Sequence, residues 1–212
     1  MASSCSVRAA TIATEGGYVT KNADKTRALL FDAALELIGE QGFTGTTVDQ
    51  IVERAGVAKG TVYYHFRSKA ELVDALIGEH LAPLSERLSA AAATATEPTE
   101  QLAALVRAEL EFIRDDRAFA KLLITEMWRE DRVWRETLVM LSDRALAVLR
   151  KVIAAGVASG DFSADLDVRL AASAVFGLVA TTALAWFVAY PDRDIEMMAP
   201  QVERLAVGAV RG

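Results

Sequence analysis

An all-helical fold is expected from three features of this 212-residue sequence. Apolar residues recur at three- and four-residue spacing through most of the chain, the period of an amphipathic helix. No run alternates apolar and polar residues between turn signals, as a half-buried strand would. Ala, Leu, Val, Arg and Glu dominate, with only four prolines. About nine helices result. The length allows one large domain or two small ones and suffices for a real core.

Residues 1–20 are small and polar, lack the basic start and apolar run of a secretory signal, and are expected to form a disordered arm. A first helix is expected from about Asp24 to Gln41. Leu30, Ala33, Ala34, Leu37 and Ile38 form its buried stripe, and Gly42 ends it. Thr46 and Thr47 are helix-start residues, and Asp49 places negative charge in the first turn of a second helix. Val48, Ile51, Val52 and Ala55 give that helix one apolar face, and Gly56 stops it. A third short helix, about Ala58 to His65, turns Val62 inward and is followed by Phe66 at the core. Lys59, Gly60, Thr61, Tyr63, Tyr64 and His65 are then free to point elsewhere. A cation, a bare backbone, hydroxyls and ring faces are groups that meet phosphates and base edges. An ordinary helical hairpin with half-buried tyrosines satisfies the same spacing.

From about Thr26 to Leu76 the chain resembles the N-terminal domain of the TetR family of transcriptional repressors. The resemblance rests on AALELIGEQGF, on TTVDQIVERAGVAKGTVYYHF and on SKAELVDALI. It implies a helix-turn-helix at residues 21–68 whose second helix enters the major groove. The implied DNA contacts are Thr46, Thr47, Lys59, Gly60, Thr61, Tyr63, Tyr64, His65 and Lys69. For Lys69 the family pattern implies a phosphate contact, and a solvated lysine is the plain alternative. Residues 69–212 would then be the ligand-binding and dimerisation domain.

Ser68 is a good N-cap for a fourth helix, with Glu71 placed to complete a capping box. This helix runs towards Ala93 and joins the head to the rest. Ala93 to Glu100, ATATEPTE, is the clearest loop, and Pro98 can open the next helix. About Thr99 to Arg114 follows, then Arg117 to Arg129 after two aspartates, then Val133 to Ser159.

Leu170 to Pro191 carries no charge over 22 residues, enough to span a bilayer. A membrane-anchored helical interaction protein is therefore a rival reading. The last helix counters it with an amphipathic stripe that includes Val202, Leu205, Ala206 and Ala209, with Pro200 either kinking it or sitting in its first turn. A soluble homodimer can bury both helices against the same pair from a second copy. Ser173, Gly177, Thr181, Val202, Leu205, Ala206 and Ala209 are the expected interface.

The net charge of −6 is unevenly spread. Thr20 to Ala70 holds seven Lys/Arg against six Asp/Glu, whereas Glu71 to Gly212 holds fifteen against twenty-two. The acidity belongs to the C-terminal part. The head is mildly basic, with Lys21, Lys25, Arg27, Lys59, Arg67 and Lys69 able to cluster near phosphates. Cys5 is the lone cysteine and cannot close an internal disulfide, which suits a cytoplasmic location. His65, His80 and Cys5 offer no metal spacing. No catalytic constellation, phosphate loop or dinucleotide turn appears, so neither an enzyme nor a cofactor is expected.

The family resemblance also implies a ligand cavity in the C-terminal domain. Its candidate walls are Leu105, Glu109, Phe112, Phe119, Leu123, Glu126, Met127, Trp128, Trp134, Leu138, Leu141, Phe176 and Trp186. Glu126, inside LLITEMW, is the oddest of these, a carboxylate in an apolar run that needs either a ligand donor or a structural pair with Arg129 or Arg107. The aromatics fit plain core equally well. The expected protein is a homodimeric repressor on a palindromic double-stranded DNA operator, released by a small lipophilic effector. An activator of the same architecture fits the same residues.

Overall fold

The computed structural model of the chain describes residues 8–126 and 132–211, with side-chain surroundings for residues 23–123 and 146–211. Regular structure among the described residues is helical throughout: α1 Arg8–Gly45, α2 Val48–Ala55, α3 Lys59–His65, α4 Lys69–Ala92, α5 Pro98–Asp115, α6 Arg117–Glu126, α7 Arg132–Ser159, α8 Val168–Ala189 and α9 Ile195–Arg211. The chain forms two compact units, residues 1–73 and 74–212. Their boundary falls inside α4 rather than at its start.

In the first unit, α1 begins at Arg8, well before Asp24, and so takes in part of the expected arm. Ala9, Ala10 and Ala13 favour helix, and no proline interrupts the stretch. Gly42 (φ 77°, ψ 163°) breaks the helix, so Phe43–Gly45 is a separate turn. Leu30, Phe31, Ala33, Ala34, Leu35, Leu37 and Ile38 are buried from α1, and Ile51, Val52, Val62 and Phe66 meet them from the other side of the core. Arg54 ties α2 to α1 through Glu36 (2.9 Å) and Glu40 (3.6 Å).

The start of α4 differs in detail from a capping box. The Glu71 N–H donates to Ser68 Oγ (3.1 Å), but the Glu71 carboxylate accepts from the Arg67 N–H (2.7 Å), one residue further back. Pro83 lies inside α4 and removes one backbone donor there.

In the second unit, α5 is the central helix, packed on α6, α7, α8 and α9. Its inward residues include Leu102, Leu105, Val106, Leu110 and Ile113. The Asp167 side chain caps α8, accepting from the Arg169 and Leu170 N–H groups (2.8 and 3.0 Å). By length and composition α8 could cross a bilayer. Here it serves as core: Ala172, Val179, Ala183 and Trp186 are buried within the unit, and the Trp186 indole donates to the Arg193 carbonyl (2.7 Å). Pro200 lies within α9, beyond its first turn, at the cost of one helical hydrogen bond.

The turn between α7 and α8 is pinned at both ends. The Phe162 N–H donates to the Gly156 carbonyl (3.0 Å), and the Ser163 N–H to the Val210 carbonyl (3.0 Å). The Phe162 ring occupies the place where a Cβ on Gly156 would stand, 2.1 Å from its nearest atom.

Candidate nucleic-acid interface and effector cavity

The local chemistry of residues 47–66 sets the exposed face. Thr47 and Gln50 close a reciprocal capping box: the Gln50 N–H donates to Thr47 Oγ1 (3.2 Å), and the Thr47 N–H donates to Gln50 Oε1 (2.8 Å). Gly56 ends α2 in the left-handed conformation (φ 66°). Its N–H donates to Glu53 and that of Val57 to Val52, a double closure that fixes the turn. Because α3 follows at once and buries Val62, its remaining side chains are turned outward. Tyr64 is 84% exposed and Tyr63 54%, while Lys59, Gly60 and Thr47 are exposed and Thr61 and His65 half-buried. Tyr64 and His65 meet edge to face, with ring centres 5.3 Å apart.

Two of the expected contacts make bonds within the head. Thr46 is only 1% exposed, and its hydroxyl donates to the Gly42 carbonyl (2.9 Å). That correction follows from the helix break at Gly42, whose freed carbonyl needs a donor. The Lys69 ammonium donates to the carbonyls of Phe43 and Thr46, both at 2.6 Å, and partial burial lowers its pKa.

The expected basic cluster is also redistributed. Lys59 is paired with Asp49 (2.8 Å), and this hydrogen bond raises its pKa. The Arg27 guanidinium lies over Phe31 and Phe66, 5.0 and 5.8 Å from their ring centres. Lys25 and Arg67 stand exposed.

In the second unit, Glu109, Phe112, Leu123 and Phe176 come together around one cavity, joined by Leu84, Ile113, Ala120 and Ala180. Its volume is about 20 Å³, room for a single water. Trp186 lies apart from it, as part of the core. Glu126, Met127, Trp128, Trp134 and Leu138 lie outside the residues whose side chains are described. Arg107, a proposed partner for Glu126, is engaged with Glu203 (2.8 Å) and Glu196 (3.3 Å).

The buried carboxyl that stands out is Glu109, at 2% exposure. Neither of its oxygens has a hydrogen-bond partner, and burial raises its pKa well above the ordinary range. Glu109 is one of the expected cavity walls: it continues the inward row Leu102, Leu105, Val106 and precedes Phe112 and Ile113, three and four residues on.

On the expected dimer face, Val202 and Ala206 are buried inside the unit, where α9 meets α5. This corrects their assignment to the interface, because a helix with apolar residues on two sides does not declare which side its own chain covers. Ser173, Thr181, Leu205 and Ala209 stand exposed and Gly177 half-exposed. A groove of about 650 Å³ runs along α8 and α9 between Leu170, Ala174, Leu178, Leu205 and Ala209.

Residues 30–76 match the family described as bacterial regulatory proteins, tetR family. Residues 95–210 match the tetracyclin repressor-like C-terminal domain. The fatty acid metabolism regulator protein of Bacillus subtilis is 26% identical over 181 residues, covering 85% of this chain and 93% of that protein. The HTH-type transcriptional repressor KstR2 of Rhodococcus jostii is 32% identical over 148 residues, covering 68% of this chain and 72% of that one. Among solved structures, the transcriptional regulator FadR from Bacillus subtilis in complex with stearoyl-CoA superposes with a TM-score of 0.76 at 26% identity, covering 86% of this chain and 98% of that one. With both of its domains matched, the chain belongs to the TetR family of bacterial transcriptional regulators.

Proposed function

We propose that this regulator is a homodimeric repressor. It binds a palindromic operator through the exposed face of α3 and is released by a long-chain acyl thioester. The observation that carries the DNA-binding part is the outward row Lys59, Gly60, Tyr63 and Tyr64 on a helix whose entry and exit are fixed by Gly56 and Phe66. Thr47, Thr61 and His65 border that row. Two copies would set two such helices about one helical turn of DNA apart. The second copy would cover the groove on α8 and α9, where Leu170 and Leu205 are more than half exposed. Ser173, Gly177, Thr181 and Ala209 leave room there for close helix approach.

The effector class is carried over from the relative bound to stearoyl-CoA and is supported by the apolar cavity beside Phe112 and Phe176. At its present size the cavity cannot hold an acyl chain. Entry requires those rings to turn aside, which ties occupancy to a shift of α5 and α8. The effector releases DNA only to the extent that it prefers the shifted form.

The test is selection of duplexes from a randomised library at low salt, followed by titration of the selected duplex with stearoyl-CoA. The expected result is a palindromic site, bound by two chains and released by the thioester. Failure to retain any duplex would overturn the DNA-binding reading. Retention without release would overturn the effector class alone.

A further inference from the structure

Glu109 is buried among apolar side chains in a place where a carboxyl has no ordinary reason to be. Its neighbours around the cavity include Leu84, Phe112, Leu123 and Phe176, none of which carries a polar group. Neither of its oxygens is bonded. Such a group weakens the fold that holds it, since water has been removed and nothing replaces it. A leucine of similar size would fill the same space without that loss. The arrangement makes sense when a bound molecule supplies the missing partner.

The chemistry of the surroundings narrows what that partner is. Burial disfavours the charged form of the Glu109 carboxyl. An uncharged acid has one O–H to give. An ammonium ligand would bring a second ion out of water into a space where the described lining offers no other polar group, and the pair would recover that loss only with further hydrogen bonds that those residues do not supply. A carboxylate ligand would carry its own desolvation penalty into the same site. A neutral acceptor on an apolar body has neither cost.

Building on the acyl-thioester reading above, we propose that Glu109 is the specificity-determining group of the effector site, donating a hydrogen bond to the thioester carbonyl oxygen. The acyl chain would then lie against Phe112, Leu123 and Phe176. The carboxyl would reject apolar chains that cannot answer it, as buried polar groups do when left unpaired.

The test compares stearoyl-CoA with its thioether analogue, in which the carbonyl is replaced by a methylene. Each is titrated calorimetrically into the full-length parent, Glu109→Gln and Glu109→Leu. The parent is expected to bind the thioester about tenfold more tightly than the thioether, the size of one hydrogen bond. Glu109→Gln, which retains an N–H donor, is expected to keep that preference, and Glu109→Leu to lose it. Equal binding of the two ligands by the parent would overturn the assignment, whatever the variants do. So would a preference that persists in Glu109→Leu. Binding of neither ligand by the parent would overturn the thioester reading itself and this assignment with it.

Discussion

Lys69 and Phe43 are joined twice: the Lys69 ammonium lies 2.6 Å from the Phe43 carbonyl oxygen and 4.1 Å from the centre of the Phe43 ring. With the second bond to the Thr46 carbonyl, the side chain fastens the turn before α2 to the first turn of α4. A phosphate contact and this internal role make different demands. Lys69→Met is expected to lower the stability of the head by about 1–2 kcal/mol, a discounted value for hydrogen bonds from a partly exposed charge. Operator affinity should fall with it. If the internal role dominates, the dependence of log affinity on log salt stays unchanged, whereas loss of a phosphate contact lowers its slope by about 1. Melting curves together with anisotropy titrations at several salt concentrations separate the two.

Asp49 holds Lys59 at the outer face of α2 and α3, and both are exposed. The acid repels phosphate and occupies the cation that would meet it. Asp49→Asn is therefore expected to tighten operator binding by about two- to fivefold at low salt, with the gain shrinking as salt rises. Weaker binding at every salt concentration would show that the Asp49–Lys59 pair aligns the interface rather than competing with it.

Tyr64 contributes almost nothing to the core of the head at 84% exposure. Tyr64→Ala is expected to leave the melting temperature within about 1–2 °C of the parent, as surface changes usually do. It should weaken operator binding roughly tenfold. A gel-shift titration indistinguishable from the parent would place the docking face elsewhere.

The raised pKa of Glu109 sets a pH dependence with a definite sign. Above the ordinary glutamate range, only the unfolded chain gives up this proton. The folded state therefore loses stability as pH rises towards the raised value, and the full contribution is present below the ordinary range. As pH rises above the ordinary glutamate range, Glu109→Gln should gain on the parent by up to about 1.4 kcal/mol per pH unit, because it has no proton to lose. Urea unfolding at pH 5, 6 and 7 measures this. Parallel pH profiles for parent and variant would mean that Glu109 is charged in the folded chain.

Gly156 has no space for a side chain, since a Cβ there would stand 2.1 Å from the Phe162 ring. Alanine elsewhere in a helix is favourable, so the sign at this position is reversed by packing alone. Gly156→Ala is expected to destabilise the second unit by about 1–3 kcal/mol, the usual cost of overpacking. A melting temperature equal to or above that of the parent would show that the ring moves aside freely.

The sequence and the structure agree where the determinants are local. Thr47 starts its own helix, Gly56 needs only its own backbone freedom, and the apolar spacing of α5 declares its inner side. They part where a partner comes from elsewhere in the chain. Thr46 reads as a free hydroxyl until the break at Gly42 presents a carbonyl to it. Lys69 reads as a surface cation until the fold delivers two carbonyls 23 and 26 residues away. Val202 and Leu205 belong to one apolar run, and only the placement of α5 decides that Val202 is covered and Leu205 is not. Glu126 reads as the odd carboxylate because its neighbours in sequence are apolar. The row that matters at Glu109 runs along one side of a helix, with Arg107 and Glu111 intervening.

The pinned turn after α7 also dictates where this polypeptide can be opened or extended. With Phe162 seated on Gly156 and Ser163 tied to Val210, a reporter inserted among residues 160–167 would tear out a packed ring and a helix-capping carboxylate together. The bend at Thr94–Glu97 is mostly exposed, and its side-chain bonds, from Thr94 Oγ1 to the Ala91 carbonyl (2.7 Å) and from Gln101 to the Ala95 carbonyl (3.0 Å), are local ones. A fluorescent-protein graft or a protease cleavage site belongs there, where chain ends can be parted without emptying the core.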